Sequence, residues 1–244
     1  MIYGFIIAAG NQTRFNSDTP KALSKITGEV TCLDFNINRM RGVCDKIYVI
    51  CSKEKEKYFE NYKDRIAIES GKGCGDAVLQ TLKSFEFEDD DCCFIQWGDS
   101  LIDPTSYFTV KHMYSGNIDI NIACRLEKSP YVKITQDLFT DFVTVEFSKF
   151  GEVNGSGFHD LSLFYGNCKK ILKYCEEFYK VFYNEDHYEH KHGNEFNFLD
   201  VFNDTNITGN IVVFDENIKA YSFNTEEEYK KMIGELNGWE FKIY

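Results

Sequence analysis

A glycine-centred stretch flanked by two cations stands near the start of this chain. Ala8-Ala9-Gly10-Asn11-Gln12-Thr13-Arg14-Phe15 follows an apolar run, and Pro20-Lys21-Ala22-Leu23 comes shortly after. A loop leaving the C-terminal end of a strand can turn backbone N–H groups toward an anion. Gly10 lets that backbone come close. Arg14 offers a planar donor fork for phosphate oxygens. Lys21 is a mobile point charge, and Pro20 restricts the segment that presents it. The chemistry on offer is phosphate binding. A plain strand–loop junction with surface Arg and Lys is the bland alternative. The coincidence of glycine, both cations and the Pro-Lys pair argues against it.

A carboxylate is the second feature. Trp97-Gly98-Asp99-Ser100 follows the apolar run Cys92 to Gln96. An aspartate at a strand C-terminus suits a hard cation that also takes phosphate oxygens. A simple turn or cap aspartate is the competing reading. His187, His190 and His192 lie in N-E-D-H-Y-E-H-K-H. Their acidic flanks and loop-like pattern predict a solvated surface, with a zinc site as the weaker reading. No G-x-x-x-x-G-K-[ST] loop and no G-x-S-x-G elbow occurs. Gly71-Lys72-Gly73 lacks the third glycine of a dinucleotide fingerprint, because Asp76 stands there.

These groups need elements to hold them. Apolar runs Ile2 to Ala8, Lys46 to Cys51, Arg65 to Ile68, Cys92 to Trp97 and Ile118 to Cys124 read as strands, the first as a central one and the fourth as buried. Helical spacing fills the gaps: Leu33, Ile37 and Met40, then Asp76 as an N-cap before Ala77, Val78, Leu79 and Leu82, then Tyr107 to Tyr114. Alternation of strand and helix predicts an α/β fold, a doubly wound, mostly parallel Rossmann-like sheet with ligands at strand C-termini. The second half reads differently. Strands are expected at Tyr131 to Ile134, Leu138 to Phe147, Leu161 to Tyr165, Ile211 to Phe214 and Ile218 to Ser222. Helices are expected at Asn167 to Tyr179 and Glu195 to Phe202, and after the capping box Thr225-x-x-Glu228. With no linker or repeat, residues 1–244 read as a single domain. Residues 1 to about 125 form its nucleotide half, and about 126 to 244 form a small acceptor-side lobe.

Composition narrows the partners. The formal charge is −12, with 39 acidic against 27 basic residues. Such a surface repels nucleic-acid phosphates, so no nucleic-acid partner is expected. A polyanionic substrate would need a local basic pocket or a metal, which the opening loop supplies. No stretch has the length of a membrane span, and Met1 to Ala9 is too short and lacks the basic start of a secretory leader. Nine cysteines without a C-x-x-C pair point to reduced thiols in the cytoplasm. Oligomeric state is not legible.

The pattern A-A-G-x-x-x-R-F…P-K resembles the signature of sugar-phosphate nucleotidyltransferases. Examples are the N-acetylglucosamine-1-phosphate uridylyltransferases, the glucose-1-phosphate thymidylyltransferases and MobA-like N-terminal domains. Gln12 stands where that family has a second glycine. The resemblance implies that Ala8 through Thr13 cradle the nucleotide, that Arg14 grips the NTP phosphates, and that Lys21 lies near the α-phosphate and the acceptor phosphate. Gly73-Cys74-Gly75-Asp76-Ala77-Val78 is similar to the G-T-G-x-A-V segment that holds base and ribose. Alone it could be an ordinary helix N-terminus. Gly98-Asp99 resembles the element whose aspartate binds magnesium. Asn224-Thr225-Glu226-Glu227 resembles a segment that supplies a second ligand through Asn224, although Thr225 is equally a helix cap. Asp160, Glu195 and Asp200 fall where the family places acceptor contacts, with an ordinary amphipathic helix as the alternative for the last two.

The implied reaction transfers NMP from UTP or CTP to a small phosphorylated acceptor, a sugar 1-phosphate first, and releases pyrophosphate. One alternative is a CTP-dependent cytidylyltransferase acting on a non-sugar phosphate of the phosphocholine kind, a precursor for decorating surface polysaccharide. A non-catalytic NTP-binding regulatory module is the rival from another class. A glycosyltransferase would want a D-x-D motif on its central strand edge; Asp119-Ile120-Asn121 is not one, and Asp89-Asp90-Asp91 precedes a strand and does not follow one.

Overall fold

The structure, a computed structural model, describes residues 1–10, 15, 19–69, 71–137 and 139–236. Among the described residues, the strands in chain order are β1 (Ile2–Ile7), β2 (Lys25–Thr27), β3 (Val30–Thr31), β4 (Lys46–Ser52), β5 (Arg65–Ile68), β6 (Cys92–Trp97), β7 (Ser100–Ile102), β8 (Ile120–Glu127), β9 (Val132–Gln136), β10 (Val143–Phe147), β11 (Gly157–Asn167), β12 (Tyr183–Asn184), β13 (His187–Tyr188), β14 (Gly209–Phe214) and β15 (Ala220–Ser222). The helices are α1 (Cys32–Met40), α2 (Cys74–Lys83), α3 (Pro104–His112), α4 (Cys168–Phe182), α5 (Asp200–Asp204) and α6 (Glu226–Leu236).

A nine-stranded sheet runs β10-β9-β11-β6-β1-β4-β5, with β8 pairing β11 and β14 beside it. Strands β5, β4, β1 and β6 are mutually parallel. Their residues are buried because helices cover both faces, as continuous apolar runs require. Leu33 and Met40 of α1 and Tyr107 and Val110 of α3 pack on one face. Val78 and Leu82 of α2 and Ile171, Cys175 and Phe178 of α4 pack on the other. The second half joins through β11, antiparallel to β6, β8 and β9.

Local chemistry sets the helix ends. Thr31 caps α1 in a full capping box with Asp34. Asp103 caps α3 and Pro104 opens it, while Asn167 caps α4. Asp76 is not the cap of α2. Gly73 holds that place with φ 96°, and Asp76 lies inside the first turn. The helix expected over Glu195 to Phe202 is confined to α5, and 195–199 form a non-helical, largely buried segment. The strand expected from Leu138 begins at Val143, and Leu138 itself lies outside the described residues. Strand β11 is much longer than the expected Leu161 to Tyr165. No described helix is long and apolar enough to cross a membrane.

Candidate active site

The C-terminal ends of β1 and β6 open into a cleft of 480 Å³. Ile7, Ala8, Ala9 and Gly10 form one side of its floor, and Trp97, Asp99 and Ser100 the other. Gly98 joins them by donating its N–H to the Ile7 carbonyl at 2.9 Å. A Cβ at Gly98 would lie 3.0 Å from the Ala22 methyl and 3.2 Å from the Ile7 oxygen, so the approach needs glycine. Lys21 enters from a short 3-10 turn. Its Nζ donates to Asp99 Oδ2 at 2.5 Å and to the Phe223 carbonyl at 3.1 Å. Asn224 also lines the cleft. It arrives there because β15 pairs with β7, placing Ser222 opposite Ser100.

A buried polar network fixes the Asp99 turn. Asn36 Nδ2 donates to the Ser100 carbonyl at 2.9 Å, and Gln96 Nε2 donates to Asn36 Oδ1 at 3.0 Å and to the same carbonyl at 3.1 Å. The Tyr107 hydroxyl donates to Gln96 Oε1 at 2.5 Å. Sequence reasoning did not select Asn36, Gln96 or Tyr107. A lone polar residue at an apolar position of each element was their only signal. Lys55 was missed as well, and its Nζ donates to the Gly10 carbonyl at 3.1 Å.

The donor set at Asp99 is all oxygen. Ser100, the next residue in the chain, has a buried Oγ with no partner among the described residues and lines the same cleft as Asn224. Hard oxygen donors and an orphaned hydroxyl fit a magnesium-class cation that keeps waters and takes phosphate oxygens.

At the far end Tyr131, Phe147, Lys149, His159, Asp160 and Glu195 line the cleft. Asp160 is nearly buried, and that burial pushes its carboxyl above the usual aspartate range. The register of β11 on β8 slips between Asp160 and Phe164, with Ser162 at φ 63°. Bulges re-aim side chains, and here Ser162 N–H donates to Asp160 Oδ1 at 3.0 Å.

The cleft thus brings together Ala8, Ala9, Gly10, Lys21, Gly73, Asp99, Asp160, Glu195 and Asn224. Asn11, Gln12, Thr13 and Arg14 lie outside the described residues. Three expected contacts sit elsewhere. A Cβ at Gly75 would meet the Phe196 ring at 2.5 Å, so this glycine admits Phe196. Asp76 is buried, accepting from the Tyr188 hydroxyl at 2.5 Å and from Gln80 at 2.6 Å. Asp200 is fully buried 2.6 Å from His192 Nδ1. The expected solvated histidine surface is corrected too. His187 stays partly exposed beside Asp186, but the His190 and His192 side chains are 1% and 2% exposed.

Residues 4–117 match the family described as MobA-like NTP transferase domain. Bifunctional protein GlmU of Buchnera aphidicola subsp. Schizaphis graminum (strain Sg) is 40% identical over 90 residues, 35% of this chain and 19% of that protein. The family match covers just under half of this chain, the half that carries the first strand and the Asp99 turn. The matched stretch spans only about a fifth of the length of the curated GlmU relatives. The fold likeness is wider. The inositol-1-phosphate CTP transferase of T. maritima superposes with a TM-score of 0.68 at 14% identity, covering 97% of this chain and 96% of that one. HddC from Yersinia pseudotuberculosis gives 0.67 at 17%, covering 97% and 100%. At these identities the likeness is one of fold, and it extends through the second half of this chain.

Proposed function

We propose that this nucleotidyltransferase moves NMP from UTP or CTP to a small phosphorylated acceptor, a sugar 1-phosphate, and releases pyrophosphate. The observation carrying this reading is the Lys21–Asp99 pair. It lies in one cleft with the Ala8–Gly10 backbone, Asn224 and a separate wall bearing Asp160 and Glu195. The cleft has room for a nucleotide at the strand ends and a second phosphate beyond Lys21. An acceptor phosphate oxygen attacks the α-phosphorus in line, and the bond to the pyrophosphate oxygen breaks. No protein nucleophile is required. Lys21 holds the α-phosphate and spreads its growing charge, and Arg14 grips the leaving phosphates. Magnesium bound through Asp99 and Asn224 would supply charge neutralisation at the triphosphate. Asp160 and Glu195 orient acceptor hydroxyls. The nine free thiols support a reducing, cytoplasmic setting.

A pyrophosphate-release assay of four NTPs against sugar 1-phosphates and non-sugar phosphates tests this. Release with UTP or CTP and a sugar 1-phosphate is expected, lost without magnesium. Release only with CTP and a non-sugar phosphate would move the acceptor to the class that the T. maritima enzyme's name suggests. Silence with every pair, despite NTP binding, would refute catalysis. In Asp99→Asn, calorimetric NTP binding is expected to lose its dependence on magnesium.

A further inference from the structure

Behind the acceptor wall lies a cluster that nucleotidyl transfer does not use. His190 and His192 stand in the turn after β13, and Asp200 opens α5. One ligand atom from each lies within 4.8 Å of the others. His190 Nδ1 is 3.6 Å from Asp200 Oδ2, and His192 Nδ1 is 2.6 Å from Asp200 Oδ1. The outer nitrogens meet separate carboxylates: His190 Nε2 lies 3.0 Å from Asp204 Oδ2, and His192 Nε2 lies 2.9 Å from Glu152 Oε1.

We propose that His190 Nδ1, His192 Nδ1 and the Asp200 carboxylate bind a zinc-class divalent cation, with Asp204 and Glu152 orienting the two rings. The inner nitrogens of both rings face the one Asp200 carboxylate, and the outer nitrogens face Asp204 and Glu152. His190 Nδ1 accepts the His192 backbone N–H at 3.2 Å, a bond it gives up when its lone pair turns to a cation. Metal-bound histidines characteristically donate their second N–H to a carboxylate, and a carboxylate oxygen stands within 3.0 Å of the outer nitrogen of each ring here.

Charge points the same way. The fully buried Asp200 carboxylate lies with Asp204 and Glu152 around the two rings, an acidic setting that suits a divalent cation. Two imidazoles select a zinc-like ion over magnesium or calcium, and three protein ligands leave a fourth position for water. This separates the site from the all-oxygen set at Asp99. The segment between His192 and Asp200 carries Glu195, Asn197 and Phe198 of the cleft, and the Phe196 carbonyl accepts from Gly75 N–H at 2.8 Å. A cation there ties together the two ends of that segment, His192 and Asp200.

The test uses the full, tag-free chain, zinc, and excess magnesium to saturate weaker oxygen sites. Elemental analysis after dialysis is expected to find about one zinc per chain, retained in Asp99→Asn. Removing it with a chelator should lower the melting temperature by on the order of 5–10 °C, and zinc should restore it. His192→Ala should abolish retention. Should that variant fail to fold, Asp204→Asn and Glu152→Gln serve, each expected to weaken zinc affinity about 10–100-fold in a dye competition. A wild-type chain that retains no zinc and melts identically with and without chelator overturns the proposal. Undiminished zinc affinity in both outer-partner variants overturns it equally.

Discussion

Lys21 is held by the Asp99 carboxylate, the Phe223 carbonyl and the Phe223 ring, whose centroid is 5.7 Å from Nζ. In the proposed reaction a cation pinned this way need not reorganise as charge develops. Lys21→Ala is therefore expected to lower kcat by about 10²–10³, with the melting temperature near that of wild type. Steady-state pyrophosphate release checks the rate, and turnover within a few-fold of wild type would remove Lys21 from the chemistry. Asp160 carries a different consequence. Burial raises its folded pKa above the unfolded value of 3.8. An acid shifted this way costs stability once ionised. The cost is absent below the unfolded pKa and grows as pH rises through the folded one. Asp160→Asn should then raise the melting temperature at about pH 7 more than at about pH 4. Equal shifts at both pH values would deny that the buried charge is the cause.

At the scale of elements, the Asp99 turn depends on Asn36 of α1 and Gln96 of β6 meeting the Ser100 carbonyl. Asn36→Leu keeps the volume but leaves that carbonyl and Gln96 short of a partner. A loss of about 1–3 kcal/mol in denaturant unfolding is expected. A fall in kcat of up to about 10² should accompany it, because displacing a positioned group by an ångström is that costly. Unchanged kcat in a destabilised variant would reduce Asn36 to a packing role. The same turn shows where sequence reading reaches and where it stops. Strands β1, β4, β5 and β6 were legible because a strand covered on both faces is a continuous apolar run. Strand β15 was legible as the end of the run Ile218 to Ser222, but β7 was not, because a three-residue strand leaves no periodicity, and their pairing brings Asn224 into the cleft of Asp99. Phe196, Phe198, Leu199 and Phe202 have helix-like spacing for another reason. The first two lie in a buried segment that Gly73 and Gly75 admit, and α5 starts only at Asp200. Polar neighbours made His190 and His192 look solvated, because burial by β10 and α4 comes from residues far away in the chain. Asp99 and Lys21 were legible because motif and strand end coincide.

Over the whole molecule, the two packed faces of the sheet absorb the thiols. All nine cysteines are free, and none is exposed. Burial pushes the Cys74 and Cys51 thiols up to about 11 and Cys44 up to about 12. Near neutral pH the nucleophilic thiolate is then a minute fraction at these positions, and alkylation must wait for the fold to open. Cys74 makes the sharpest case, because it lines the cleft at the start of α2 and yet accepts the Phe198 N–H at 3.3 Å. Iodoacetamide at about pH 7.5 is expected to leave the native chain essentially unlabelled over a time in which the denatured chain takes up nine equivalents, read by intact mass. Prompt single labelling mapped to Cys74 would mean that the 195–199 wall stands open in solution. Labelling of Cys74 that appears only after chelator treatment would instead tie the closure of that wall to the histidine cluster behind it.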